Sequence, residues 1–336
     1  MKRDLYWDSL KFILIFLVVY THTIETYAPM NSINRAIYNL IYTFHMPLFI
    51  FISGRFSHIS DKSKYWKGIF RLLETYIVFQ VIWWLGPIII QGKIEFKDLV
   101  SLFVIPRWTL WYLLNLVYWR LLIIITPSAI LKDNVFRIML ACFVISIGGG
   151  FLPIDNHFSF QRTLAFLPFF FLGYYSAGID IKKYLSKMPI IIPLITIISS
   201  LLIICQFFNY PLNYVLACSK SYWYDSTISP LILCSGRIIV IIFATIISIM
   251  VIRIVKVNQS MSNWGTKTMI IYVYHSFVIS ALRIIVARGI ISQNEYFLFL
   301  YAILITLGLL CMSRFKLFTI IMNPFSFYLG NVSRRN

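Results

Sequence analysis

Long apolar runs alternate with short polar segments along the whole chain, and the runs have the length of helices, not strands. Ten of them are long and apolar enough to cross a bilayer: about 10–27, 36–56, 69–90, 108–127, 138–154, 163–178, 189–208, 230–252, 268–286 and 296–312. Backbone groups in lipid must be bonded within the segment, so runs of this kind are expected as helices. Two shorter apolar pieces, 99–105 and 317–329, are too short to span and are expected at an interface. The Gly148-Gly149-Gly150 run is expected to loosen the fifth helix or to end it early. The predicted fold is therefore an all-α integral membrane bundle of about ten transmembrane helices. It forms one membrane-embedded domain over residues 1–336, with core spans over about 10–312 and a tail over 313–336 that includes an interfacial segment.

Composition sharpens this reading. Apolar residues make up 60% of the chain and charged residues only 12%, where a soluble domain carries about 25% charged residues. The formal charge of +18 does not indicate nucleic acid, because no polar, aromatic-interleaved basic domain accompanies it. It fits basic loops held at an anionic leaflet. With the N-terminus inside, the inner segments hold more than twice as many Lys and Arg residues as the outer ones, so both termini are expected to be cytoplasmic and the protein to be a multi-pass protein of the cytoplasmic membrane. Trp83, Trp84, Trp108, Trp111 and Trp223 fall near the predicted outer ends, as in an aromatic belt. Lys2 and Arg3 before an apolar run resemble a signal peptide, but Asp4, Asp8 and Lys11 interrupt the pattern and no small-x-small site follows. An uncleaved first span is expected. The five cysteines form no CxxC pair, and neither a disulfide framework nor a metal site is indicated.

Candidate chemistry starts in the first span, where Lys11 and His22 lie three helical turns apart on nearly one face, with a rise of about 16 Å between them. Ionisable groups inside a bilayer are costly and mark sites. His22 suits proton transfer near neutral pH, or it packs against a neighbouring helix. Glu25, three residues on, stands where it can orient the His22 ring, or it faces water at the interface. Lys11 either belongs to an anion site or snorkels to the inner surface, neutralised by Asp8. Lys67 and Arg71 share a face at the entry to the third span. Arg71 reads as a phosphate clamp or as the ion-pair partner of Glu74. His45, Ser53, Arg55, Arg120, Arg162, Arg237, His275 and Arg283 also lie within or beside spans, and together they imply a polar internal cavity. The longest outer loop, 209–226, mixes aromatics and polar groups, as either a sugar-contacting lip or an ordinary interfacial loop would.

Six segments, in order, resemble acyltransferase family 3, and most of all its fucose 4-O-acetylase-related branch. They are Lys11 and His22 with ten residues between them, Phe44-His45-Met46-Pro47-Leu48-Phe49 followed by Ser53-Gly54, Arg71-Leu72-Leu73-Glu74-Thr75-Tyr76, Leu110-Trp111-Tyr112-Leu113, Arg162 to Gly173, and Gly265 to His275. The chain departs from the family pattern at Thr75, where members carry proline, and at Gly68, which takes the place of one of two paired basic residues. The resemblance implies transfer of an acyl group, usually acetyl, from cytoplasmic acyl-CoA to a hydroxyl of an extracytoplasmic cell-surface polysaccharide or lipid-linked glycan. It implies His22 as general base; the spacing, not the resemblance, adds Glu25 as the second catalytic candidate. The resemblance places the acetyl-CoA phosphates near Lys11, Lys67 and Arg71, and the acceptor near Arg162 and His275. No metal is implied. A glycan transporter or flippase would also be a basic polytopic bundle, but no pair of matching halves with broken helices is visible.

Overall fold

The computed structural model describes residues 4–25, 33–91, 100–102, 104–205, 216–290 and 294–332. Among these residues every regular element is a helix. Lys2, Arg3, Lys93, Lys97, Arg334 and Arg335, and residues 209–215 of the expected lip, lie outside them.

The first helix, α1 (Leu5–Ile24), begins where Asp4 accepts hydrogen bonds from the amides of Tyr6 and Trp7, at 3.0 and 3.5 Å. That side chain satisfies two of the four amides a helix start leaves open. The helix α2 (Ile33–Arg55) follows, then α3 (Lys62–Gln91), α4 (Trp111–Ile125), α5 (Val135–Gly148), α6 (Leu167–Ser176), α7 (Ile191–Cys205), α8 (Pro230–Ile254), α9 (Thr268–Ala287), α10 (Glu295–Met312), α11 (Lys316–Met322) and α12 (Pro324–Val332). Short helices occupy Phe160–Ala165 and Gln259–Gly265.

Among the described residues, six helices are long and apolar enough to cross a membrane: α1, α2, Lys62–Gly86 of α3, Trp108–Ile125, α8 and α9. A seventh span is present if Phe297–Met312 and Lys316–Met322, bent by 92°, count as one. The expected spans 138–154 and 189–208 coincide with shorter apolar helices, Val135–Phe151 and Ile191–Cys205. The expected span 163–178 is divided at Phe166 into Phe160–Ala165 and α6. Pro168 accounts for the break, because it has no amide to give the carbonyl one turn earlier. The fifth helix ends at Gly148 and passes into a 3-10 turn over Gly149–Phe151.

Helices α1 and α2 form the interior of the bundle. Of their apolar windows 78% is buried, against 39% for α3 and 44% for α8, whose outer faces are left apolar and exposed. Lipid is the solvent that tolerates such faces, and the protein is a multi-pass membrane protein. Helix α1 packs against α2, Gln259–Gly265, α9 and α10, and α2 packs against α6, α7 and α8. The α2–α6 crossing brings backbone against backbone. A Cβ at Gly54 would collide with the Phe170 carbonyl, and one at Gly173 with the Phe51 carbonyl. Small residues at such crossings let helices approach where lipid gives no hydrophobic drive for association.

Candidate active site

The interior helices carry the polar groups. Stepping along one face of α1, Lys11, Val18 and His22 line two cavities in turn, and α2, α4 and α9 also contribute residues to both cavities. The sequence stripe from Lys11 to His22 is thus a structural stripe.

At the Lys11 end lies a cavity of about 360 Å³. Its lining includes Lys11, Ser53, Gly68, Arg71, Thr75, Tyr112, Arg120 and Asn323, and no carboxylate. Lys11 Nζ is 2.7 Å from Asp8 Oδ1, so its charge is largely matched, as the snorkelling alternative would have it. Arg71 is not paired with Glu74. The Glu74 carboxylate accepts instead from the backbone amides of Phe325 (2.5 Å) and Ser326 (3.1 Å) and from the Ser326 hydroxyl (2.5 Å). Arg120 was one of many polar candidates in the sequence, and the structure singles it out. It lines the cavity, its Nε is buried without a hydrogen-bond partner, and its guanidinium lies 5.9 Å from the Tyr65 ring. Lys67 is exposed and does not line the cavity; the adjacent Gly68 does. The basic residues lining the cavity are therefore Lys11, Arg71 and Arg120. The signal that finds Arg120 is its isolation: it is the one charged residue in the apolar helix Trp111–Ile125.

At the His22 end lies a smaller cavity of about 30 Å³, lined by His22, Tyr42, His45, Trp111, Arg162 and Tyr272 among others, and roofed by Leu216 and Ala217. His22 Nδ1 is 3.3 Å from Glu25 Oε2. The same Glu25 oxygen accepts from Arg283 Nη2 at 3.2 Å, and that nitrogen also donates to the His22 carbonyl at 3.1 Å. Arg283 rests over the Trp108 ring at 4.7 Å, and Trp108 packs edge-on against His22 at 5.2 Å. A carboxylate only accepts hydrogen bonds, so this arrangement places the imidazole proton on Nδ1 and leaves Nε2 as the free base. Arg162 donates from Nε to the Ala217 carbonyl at 3.1 Å and stacks over Trp111 at 4.8 Å, which holds its guanidinium at this cavity.

His275 is fully buried and packs against His22, with ring centroids 5.5 Å apart. Its Nδ1 donates to the Tyr272 carbonyl at 2.6 Å, and its Nε2 has no hydrogen-bond partner. It does not itself line the cavity. His45, on α2, does, with its Nδ1 2.7 Å from the Ile41 carbonyl.

The two cavities meet at three aromatic rings. Phe49 and Tyr112 line the larger one and Tyr272 the smaller; the Phe49 and Tyr112 centroids are 5.6 Å apart, and those of Tyr112 and Tyr272 are 5.3 Å apart. Tyr112 is tied to α2 by a 2.6 Å hydrogen bond with Ser53, and Tyr272 donates to the Thr109 carbonyl. The interior thus holds two chambers with an aromatic partition between them.

Comparison with known proteins decides the family. The chain matches the acyltransferase domain of acyltransferase family 3 over residues 4–314. It belongs to acyltransferase family 3. No curated protein and no solved structure matches the chain. In this membrane acyltransferase, then, the cavity of an oriented imidazole and a basic cavity are lined by the same four helices, α1, α2, α4 and α9, among others.

Proposed function

We propose that the protein is an O-acetyltransferase that moves an acetyl group from cytoplasmic acetyl-CoA to a hydroxyl of an extracytoplasmic cell-surface glycan, with His22 as general base. The observation that carries this reading is the contact of His22 Nδ1 with Glu25, together with the place of the His22 side chain in the lining of a cavity that Arg162 also lines. It gives one imidazole a fixed tautomer, an accessible Nε2 and a nearby cation.

The donor is read from the larger cavity. Coenzyme A carries a diphosphate and a 3′-phosphate, and Arg71 and Arg120 are guanidinium groups suited to them. From there the acyl-pantetheine arm would run along α1 past the Phe49–Tyr112–Tyr272 partition toward His22. The partition must part, and the small chamber must widen, because about 30 Å³ holds little more than a water.

In the reaction His22 Nε2 takes the proton of the acceptor hydroxyl as its oxygen attacks the thioester carbonyl. A new C–O bond forms, the carbonyl becomes an oxyanion, and Arg162 is the fixed positive charge available to stabilise it. Collapse breaks the C–S bond, and the imidazolium returns the proton to the leaving thiolate. The products are the acetyl ester and free coenzyme A. Glu25 stabilises the imidazolium, and Arg283 holds Glu25 in place.

The test uses membranes containing the full chain, acetyl-CoA labelled in the acetyl group, and the glycan fraction of the host. The expected result is label in glycan with the wild type and its loss with His22→Ala at equal protein level. Unchanged transfer by His22→Ala would remove His22 from this role. Glycan that crosses the membrane unlabelled would favour a transporter.

A further inference from the structure

The family match ends at residue 314, yet a residue beyond it lines the basic cavity. After α10 the chain turns through 92° into α11, which packs on α3, and then into α12. Asn323, between those two helices, borders the cavity together with Arg71 and Thr75. Its side-chain Oδ1 lies 3.3 Å from the Thr75 hydroxyl.

Three contacts fix this segment. Glu74, 5% exposed, receives the first amides of α12 and the Ser326 hydroxyl, which satisfies groups a helix start leaves unbonded and sets a negative charge at the positive end of the helix. Tyr274 donates to the Phe318 carbonyl at 3.0 Å, and the two rings pack at 5.4 Å. Met322 is buried. A buried carboxylate whose oxygens are both occupied by one short helix is a strong anchor.

We infer that the segment 316–332 is the closing wall of the donor cavity, and that Asn323 contacts a neutral hydrogen-bonding part of the nucleotide-thioester donor, an amide or the adenine edge, beside the phosphates held by Arg71 and Arg120. A primary amide carries a donor and an acceptor; Asn323 Oδ1 faces the Thr75 hydroxyl, whose nearer partner is the Arg71 carbonyl at 2.8 Å, and the residue borders the cavity. Glu74 is a positioning residue in this scheme. It touches no substrate and acts by holding α12. The inference rests on the reading of acetyl-CoA as donor.

The experiment is steady-state acetyl transfer by membranes of the full chain, with acetyl-CoA and acceptor varied separately. Asn323→Ala removes the contact and should raise the donor KM roughly three- to tenfold, leaving kcat and the acceptor KM at wild-type values. Asn323→Asp sets a carboxylate among groups awaiting phosphate and should raise the donor KM further. Glu74→Ala should raise the donor KM, and Glu74→Gln, which keeps an acceptor for the α12 amides, should recover part of the loss. Wild-type donor KM in both Asn323 variants, with transfer intact, would overturn the inference and leave the proposed function standing. A fall in kcat alone, with the donor KM unmoved, would also overturn it. A wild type that transfers nothing from acetyl-CoA and does not bind it would remove the donor reading, and the inference with it.

Discussion

His22 Nδ1 and Glu25 Oε2 stand 3.3 Å apart one helical turn along the same chain, and Arg283, on α9, reaches across to the same carboxylate oxygen. Helix geometry alone brings residues i and i+3 together; the distant arginine keeps the carboxylate from turning to water. Glu25→Gln would keep the shape and remove the charge that stabilises an imidazolium. The expected outcome is a fall in kcat of roughly ten- to hundredfold, below the full general-base contribution of about 10²–10⁴, because the Glu25 side chain is 34% exposed. Steady-state kinetics in membranes check this, with the donor KM expected to hold.

The basic cavity separates residues that look alike in the sequence. Arg71→Ala and Arg120→Ala should each raise the donor KM by roughly ten- to hundredfold, the range of about 1.5–3 kcal/mol for hydrogen bonds to charged groups. Arg71→Lys should recover part of the loss, since the charge stays and the planar fork goes. Lys67→Ala should leave donor use unchanged, because Lys67 is exposed and outside the lining. Lys11→Met should cost less than Arg71→Ala, because Asp8 already matches the Lys11 charge.

The glycine crossing of α2 and α6 is a packing prediction independent of chemistry. Gly54→Ala drives a Cβ into the Phe170 carbonyl, which is backbone and cannot swing aside. Overpacking of this kind costs about 1–3 kcal/mol. A lower thermal midpoint of the detergent-solubilised protein is the expected outcome. Gly148→Ala, where nothing lies within 4 Å of the added carbon, should leave that midpoint nearly unchanged.

Counted over the ten expected spans, the Lys and Arg bias leads us to expect both termini in the cytoplasm. A reporter fused after Arg335 should read cytoplasmic, as should one placed before the first span. A reading on the opposite face for the C-terminal fusion would mean an odd number of crossings.

Periodicity made the Lys11–His22 stripe legible and offered the His22–Glu25 contact as one of two readings, because each depends on spacing within one helix. What spacing cannot carry was missed or misassigned. Arg283 meets Glu25 across 258 residues, and Glu74 leaves its near neighbour Arg71 for a helix 251 residues away. Arg120 lines the cavity and Lys67 does not, because a helix face shows which residues lie together, while a neighbouring helix decides which of them borders a cavity. Arg162 and His22 did come together, as the family resemblance implied. His275 came beside His22 too, but behind the cavity wall. The expected span over 163–178 became two short helices, since hydropathy does not register the missing amide of Pro168.

The central claim is one route through the bundle, with the donor's phosphates at one chamber and its thioester at the other. An experimental structure of the full-length protein with a non-hydrolysable acetyl-CoA analogue tests it most directly. The account predicts phosphate density against Arg71 and Arg120, the pantetheine arm between displaced Phe49, Tyr112 and Tyr272 rings, and the acyl carbon beside His22 Nε2. Nucleotide bound elsewhere on the protein, or an arm that stays on the Lys11 side of an unmoved partition, would contradict it.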